Sequence, residues 1–153
     1  MRAAFPPVSA SYEELVDASP EEIFDAWTTP EELKSWFGPG GFQTTEAVLE
    51  ARPGGRYRLV MRTPDGSQLT ITGAYREVVR PARLVYTWIW AHAPDQEMVV
   101  TVELRAIDAV RTLVRVTHAQ ITDGELARYE GGWREGLARL CAVLARKGRV
   151  NDA

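Results

Sequence analysis

The chain has 153 residues, of which 45% are hydrophobic, so it is long enough for one core and we expect a single domain over residues 1–153. Its 18 basic and 21 acidic residues leave a formal charge of -3 without a basic excess. This balance excludes nucleic acid as an expected partner, because phosphate backbones are bound by clustered lysine and arginine.

Other classes are also disfavoured by simple counts. No apolar run reaches the roughly 18 residues of a membrane span, and the N-terminus lacks the apolar region of a signal peptide. The single cysteine, Cys141, cannot form an internal disulfide, which is typical of a reducing compartment. We therefore expect a cytoplasmic protein without a membrane span. With two histidines, one cysteine and no phosphate-binding glycine loop, we expect no metal and no cofactor.

The N-terminal part predicts one strand and two short helices. Residues alternate in character from Val8 to Val16, as in a strand with one buried face. Ser19-Pro20-Glu21-Glu22 is a helix start, with a capping side chain, a proline and carboxylates near the positive end of the helix dipole. Thr29-Pro30-Glu31-Glu32 repeats that signal, and the second helix should end at Trp36 or Phe37, before the glycine-rich residues 38–41.

Six further strands are predicted between Phe42 and Ala119. Turn signals near residues 52–55, 63–66, 80–81, 92–95 and 107–109 separate them. Alternating apolar positions joined by short connections indicate an antiparallel meander with one buried face. Gly73, inside a strand, predicts a bend or a bulge.

The remaining chain predicts one long helix from about Asp123 to near Gly148. Its apolar residues recur at three- and four-residue steps, as on one face of a helix. Gly131, Gly132 and Gly136 weaken an isolated helix, so we expect another part of the chain to approach it closely.

The order of these elements coincides with a set of local motifs. They are Asp17–Trp27, Pro30–Leu33, Trp36–Pro39, Arg52–Gly55, Gly73–Val78, Leu84–Trp88 and Gly132-Trp133. In this order and spacing the chain resembles the AHSA-type family, similar to the activator of the heat-shock-protein-90 ATPase. That family belongs to the helix-grip superfamily, which is also called START-like, Bet v-like or SRPBCC.

The resemblance implies an α+β helix-grip fold, in which a curved seven-stranded antiparallel sheet holds the C-terminal helix, with an elongated apolar cavity between them. The superfamily includes lipid carriers, polyketide cyclases and aromatases, hormone receptors and an antibiotic-sequestering protein, so the fold alone does not specify an activity. Two positions depart from the family's pattern. Tyr129 stands where members often have histidine, and Glu50-Ala51 stands where they often have aspartate.

Inward-facing rings and valines are the candidate ligand-binding residues, because a small apolar pocket with a few polar donors is typical of a ligand site. The alternative is plain core packing. Trp36-Phe37, next to a glycine-rich loop, could form a gate. The candidates are Trp36, Phe37, Tyr57, Tyr75, Tyr86, Trp88, Val100, Val102, Val116, His118, Tyr129 and Trp133.

No catalytic residue is assigned, and His118 and Glu14 are the only candidates. His118 has inward parity and could meet a ligand or transfer a proton, or simply bond to the backbone at a strand end. Glu14 could project inward with an arginine partner or a raised pKa, or be turned toward solvent. Glu77, on the parity of Tyr75, raises the same alternatives.

Three functions remain open. The leading hypothesis is a protein that binds a hydrophobic small molecule, such as a lipid, an aromatic or a polyketide-like compound, beneath the C-terminal helix. The alternatives are a module that binds a chaperone through its surface, and a cyclase-like or hydrolase-like enzyme that uses His118 with Glu14 or a tyrosine. In each case we expect a monomer or a homodimer. An open interior of several hundred cubic ångströms would favour the first, and a closed interior the second.

Overall fold

A computed structural model describes residues 5–151 and contains seven strands and three helices within that range. The elements follow the predicted order of strand, two helices, six strands and helix. Their bounds are β1 Val8–Val16, α1 Pro20–Thr28, α2 Pro30–Trp36, β2 Gln43–Leu49, β3 Arg56–Arg62, β4 Gln68–Val79, β5 Arg83–Trp90, β6 Met98–Ala106, β7 Thr112–Ile121 and α3 Leu126–Asn151.

The two short helices begin where their sequence signals indicate. Ser19 forms a capping box with Glu22, since the backbone N–H of Glu22 donates to the Ser19 hydroxyl at 3.2 Å and the Glu22 carboxylate accepts from the Ser19 backbone at 3.2 Å. α1 buries Ile23, Phe24 and Trp27 against the sheet side of the molecule. α2 ends at Trp36, and Phe37 is its extended C-cap.

The seven strands form one antiparallel sheet in the order β1-β7-β6-β5-β4-β3-β2. Strands β2 to β7 therefore make the predicted meander. β1, at the start of the chain, pairs with β7, the last strand, with Tyr12 opposite Val116. The α+β helix-grip fold implied by the resemblance is confirmed.

Gly73 lies within β4, between the pairs Thr72–Ile89 and Tyr75–Tyr86 that β4 makes with β5. An added Cβ there would lie 2.1 Å from the Thr87 carbonyl oxygen and 2.6 Å from the Tyr57 ring, so only glycine allows the two strands this approach. The Tyr57 hydroxyl donates to that carbonyl at 2.6 Å, and the Ala74 N–H donates to the Thr87 hydroxyl at 2.9 Å. Side chains thus supply hydrogen bonds between β4 and β5 next to Gly73, and the bulge in β4 lies two residues further on, between Tyr75 and Glu77.

α3 begins at Leu126, three residues later than the sequence indicated, because Gly124 has a positive φ of 78° and the Asp123 carboxylate accepts from the Glu125 backbone. The expected close approach occurs at two of its glycines. A Cβ on Gly136 would lie 3.6 Å from the Gly38 carbonyl oxygen, and one on Gly132 would lie 3.7 Å from Pro39. Gly131 has no such neighbour within 4 Å. The glycine-rich loop after α2 therefore packs on one face of α3.

Candidate functional site

Three tyrosines from adjacent strands meet in the interior. Tyr57 of β3 lies 5.8 Å from Tyr75 of β4 and 5.5 Å from Tyr86 of β5, between ring centroids, and Tyr75 and Tyr86 are 6.0 Å apart. All three are buried. Their inward parity on three paired strands produces this cluster, because residues of equal parity on neighbouring strands share one face of a sheet. We call these residues the tyrosine cluster.

The tyrosine cluster borders a small void that helices α1 and α2 close from the other side. The space open to the centre of a water molecule is about 10 Å³, which is room for roughly one water. The lining residues are Trp27, Leu33, Phe37, Tyr57, Leu59, Tyr75 and Tyr86. At this place the rings fill the space that the resemblance assigns to an elongated cavity.

The tyrosine cluster has spare hydrogen-bond donors. Tyr57 uses its hydroxyl on the Thr87 carbonyl, whereas the Tyr86 hydroxyl accepts from Trp27 Nε1 at 3.3 Å and donates to no acceptor among the described residues. The Tyr75 hydroxyl has no partner in that same part of the chain. Burial raises the pKa of Tyr75 and of Tyr86 far above the ordinary value, so both phenols keep their protons.

His118 lies at the centre of a second polar group, under α3. Trp133 Nε1 donates to His118 Nδ1 at 3.0 Å, and His118 Nε2 lies 3.3 Å from the sulfur of Met98. Because Nδ1 accepts, the proton of the neutral ring is on Nε2. Burial lowers the pKa of His118 to about 3, although the negative charge of Asp123 acts in the opposite direction. His118 is thus a neutral, buried ring at physiological pH.

The rings around His118 include an indole without a hydrogen bond. Trp88 Nε1 is buried and has no partner among the described residues, although the Trp88 ring lies 4.8 Å from that of His118. Tyr129 is 4.5 Å from His118 between ring centroids, but its hydroxyl donates to Asp123 at 3.1 Å and accepts from Trp90 Nε1 at 2.9 Å. Tyr129 is therefore part of a polar chain with Trp90 and Asp123.

His118 and Glu14 do not come together. On the paired strands Ala10 is opposite His118, and Glu14 is opposite Val114. Four residues of strand place Glu14 about 13 Å further along β1. Glu14 is half-buried and accepts from the Tyr12 hydroxyl at 2.9 Å. The histidine–carboxylate pair that an enzyme would need is not assembled from these two residues.

Glu77 is turned away from the interior. A bulge between Tyr75 and Glu77 shifts the register of β4 against β5, and Glu77 pairs with Arg83 at 3.3 Å on the surface.

The three candidate valines lie in the wall formed by β6 and β7. Val100 is opposite His118 and Val102 is opposite Val116, and all three are at most 1% exposed.

Trp36 and Phe37 belong to the closed interior. Trp36 is 0% exposed and donates from Nε1 to the Ala26 carbonyl at 3.0 Å, while Phe37 lies 5.8 Å from Trp88 between ring centroids. The glycine-rich loop, residues 38–41, follows them directly in the chain.

A single arginine holds that loop against α3. Arg139 Nη1 donates to the backbone carbonyls of Gly38 and Phe42 at 3.0 Å and to that of Pro39 at 3.1 Å. The loop next to Trp36-Phe37, which the sequence suggested as a gate, is thus fastened by a residue that sequence reasoning did not select. Its signal is its place three residues after Gly136, on the helix face that the loop covers.

The described residues also bear on metal binding and on membrane crossing. Within residues 5–151, no group of three or more histidine, cysteine, aspartate or glutamate side chains is placed to hold a metal ion. None of the helices in that range has both the length and the apolar character that a membrane crossing needs.

Comparison with known proteins agrees with the fold. The chain shares it with a protein from Nitrosomonas europaea (23% identity, TM-score 0.81, covering 93% of this chain and 97% of that one). It is also similar to the AHSA1 protein from Silicibacter pomeroyi (24% identity, TM-score 0.81, 92% and 99% covered). A third similar structure is an HSP90 activator from Plasmodium falciparum (25% identity, TM-score 0.70, 90% and 96% covered).

No curated protein sequence matches the chain. The sequence model of one family, described as Activator of Hsp90 ATPase homolog 1-like protein, matches residues 17–145. The match extends from the end of β1 through most of α3 and so includes the tyrosine cluster, His118 and Arg139. The chain therefore belongs to the Activator of Hsp90 ATPase homolog 1-like protein family.

Proposed function

We propose that this protein binds a small hydrophobic molecule that carries a hydrogen-bond acceptor, and that the acceptor lies at the tyrosine cluster. The observation that supports it is a pair of phenols beside the void: the Tyr86 hydroxyl accepts from Trp27 Nε1 and, like the Tyr75 hydroxyl, donates to no acceptor among the described residues. A buried donor without an acceptor costs about 1 to 3 kcal/mol, so proteins rarely keep one without a water or ligand partner.

The small size of the void means that an organic ligand can bind only if the structure changes. About 10 Å³ admits no organic ligand, so binding requires rings to move and the glycine-rich loop to open. The observed affinity is then the affinity of the open form multiplied by the fraction of molecules that are open. Because Arg139 fastens the loop, weakening its contacts should strengthen binding, while removing a phenol should weaken it.

A matched pair of probes tests this proposal. 1-Tetralone and tetralin share a carbon skeleton, but only the ketone has an acceptor. Tryptophan fluorescence and native mass spectrometry should show tighter binding of 1-tetralone, a loss of about fivefold to tenfold in Tyr75→Phe, and a gain in Arg139→Met. Equal binding of the two compounds, or an absence of binding even in Arg139→Met, would contradict the proposal.

A second candidate function is activation of a chaperone ATPase. It is favoured by the small void of about 10 Å³ at the tyrosine cluster, since a closed interior is the outcome expected for a protein that acts through its surface. It is also supported by the family match and by the similarity to the Plasmodium falciparum HSP90 activator. The test is the ATPase rate of the host's Hsp90-type chaperone with and without the protein, using denatured protein as the control. An unchanged turnover at saturating protein would count against this function.

A further inference from the structure

A groove large enough for a small molecule lies on the outer face of the sheet, opposite the tyrosine cluster. Its volume is about 600 Å³, which is within the usual range for ligand sites of about 300 to 1,000 Å³. The lining residues are Val48, Glu50, Arg56, Tyr57, Arg58, Thr72, Gly73, Ala74, Arg76, Thr87, Ile89 and Glu97.

The small residues next to Gly73 explain why the groove is there. On either side of Gly73, the outward positions of β4 carry the small side chains of Thr72 and Ala74. Longer side chains on the neighbouring strands stand around them. Arg58 is opposite Thr72 on β3, and Ile89 is opposite Thr72 on β5. A floor of small residues between taller walls makes a depression in the sheet surface.

The walls of the groove offer apolar contact. Val48 is 59% exposed on the edge strand β2, and Ile89 is half-exposed on the opposite wall. The methyl groups of Thr72 and Ala74 lie between them. An apolar body of a few carbon atoms could cover these groups and remove their surface from water.

The charges on the rim are paired except for one. Arg76 pairs with Glu97 at 2.9 Å, and Glu50 pairs with Arg52 at 2.8 Å. Arg58 pairs with Glu46 across β2 and β3. Arg56 has no acidic partner among the residues that the structure describes, and it leaves one positive charge beside the apolar floor.

We propose that this groove binds a small monocarboxylate with an apolar body. The carboxylate pairs with Arg56, since a guanidinium presents two parallel N–H donors that match the two carboxylate oxygens. The apolar body lies over Thr72 and Ala74, against Ile89. This site opens on the opposite face of the sheet from the interior void. Tyr57 borders both spaces, whereas Arg56 and Thr72 line only the groove, so variants at these two residues test the groove separately from the interior ligand.

Octanoate and 1-octanol are suitable probes, because they share a chain length and differ in charge. Titration followed by backbone and methyl NMR should give saturable octanoate shifts at Val48, Arg56, Ala74 and Ile89, with a dissociation constant of about 0.1 to 1 mM. 1-Octanol should bind several times more weakly. An interior ligand would instead perturb tryptophan fluorescence, so the two sites are distinguishable.

Three variants decide the outcome. Arg56→Gln should weaken octanoate about fivefold to tenfold and leave 1-octanol unchanged. Thr72→Phe, which fills the floor with a residue suited to strands, should weaken both probes. Arg105→Gln removes an exposed strand arginine outside the groove and should change neither. The proposal is overturned if octanoate gives no saturable shift up to about 10 mM, binds Arg56→Gln as well as the parent protein, or shifts only interior residues.

Discussion

Buried His118 should make the protein lose stability as the pH falls from 7 to 5. In the folded state burial lowers the pKa of His118 to about 3, whereas the ordinary value is 6.5. Between these two values the unfolded chain binds a proton that the folded chain does not. The free energy of unfolding therefore rises with pH in this window and falls on acidification. Stability from His118 is complete above pH 6.5 and is lost as the pH approaches 3.

The loss in the free energy of unfolding depends on how much of the pH interval between the two pKa values is crossed. Each pH unit between the two pKa values changes the free energy of unfolding by about 1.4 kcal/mol. From pH 6.5 to pH 5 the loss is about 2 kcal/mol, a large part of the roughly 5 to 15 kcal/mol of a typical domain. Stopping at pH 5 limits the contribution of aspartates and glutamates, whose ordinary pKa values are about 4.

His118→Gln is the matched variant for this experiment. The glutamine carboxamide oxygen can accept from Trp133 Nε1 and its NH₂ group can face the Met98 sulfur, but it does not titrate. Urea unfolding at pH 7 and pH 5 should show a loss about 2 kcal/mol larger in the parent protein than in His118→Gln. His92→Gln, at an exposed loop position, should behave like the parent. An equal loss in the parent and in His118→Gln would refute the assignment of a neutral, buried His118.

Three further predictions concern the loop, Gly73 and the unpaired indole. Arg139→Met removes all three loop hydrogen bonds and should speed amide exchange at Gly38, Gly40, Gly41 and Phe42 roughly thirtyfold, equivalent to about 2 kcal/mol. Arg139→Lys should retain part of the protection, and unchanged exchange in Arg139→Met would show that the loop is held by other contacts. Gly73→Ala should destabilise the fold by at least about 2 kcal/mol because its Cβ meets backbone. Gly131→Ala, in open space on α3, should stabilise it by about 0.5 to 1 kcal/mol. Both are measured by urea unfolding, and a tolerated Gly73→Ala would contradict the close approach of Thr87 to Gly73. Trp88→Phe removes an unpaired N–H, whereas Trp133→Phe breaks a hydrogen bond to His118. Trp88→Phe should therefore lower the free energy of unfolding by about 1 to 2 kcal/mol less than Trp133→Phe. Equal losses for the two variants in thermal unfolding would argue against an unpaired Trp88.

Local signals in the sequence predicted most of the secondary structure. The helix start at Ser19 and Pro20 and the turn signals between strands depend on neighbouring residues, so they can be interpreted without the fold. The start of α3 was predicted three residues early, because Asp123 resembles a helix cap and the positive φ of Gly124 is a backbone conformation that composition does not reveal.

The candidate site could be predicted only as a set of inward positions. Strand parity places Tyr57, Tyr75 and Tyr86 on the buried face, since alternation along a strand is a local property. Parity does not specify which hydroxyl finds an acceptor, and Tyr57 finds one because the Thr87 carbonyl, which approaches Gly73 closely, lies 2.6 Å from its hydroxyl.

The sequence by itself determined the order of elements, the inward face of most strands and, through its motifs, the family, because these depend on residues close together in the chain. Tertiary structure alone decided that the rings leave a void of only about 10 Å³ at the tyrosine cluster, that Arg139 fastens the loop, and that Glu14 and His118 lie far apart. Each of these depends on how side chains from distant segments share space, and a pattern of local preferences contains no such distances.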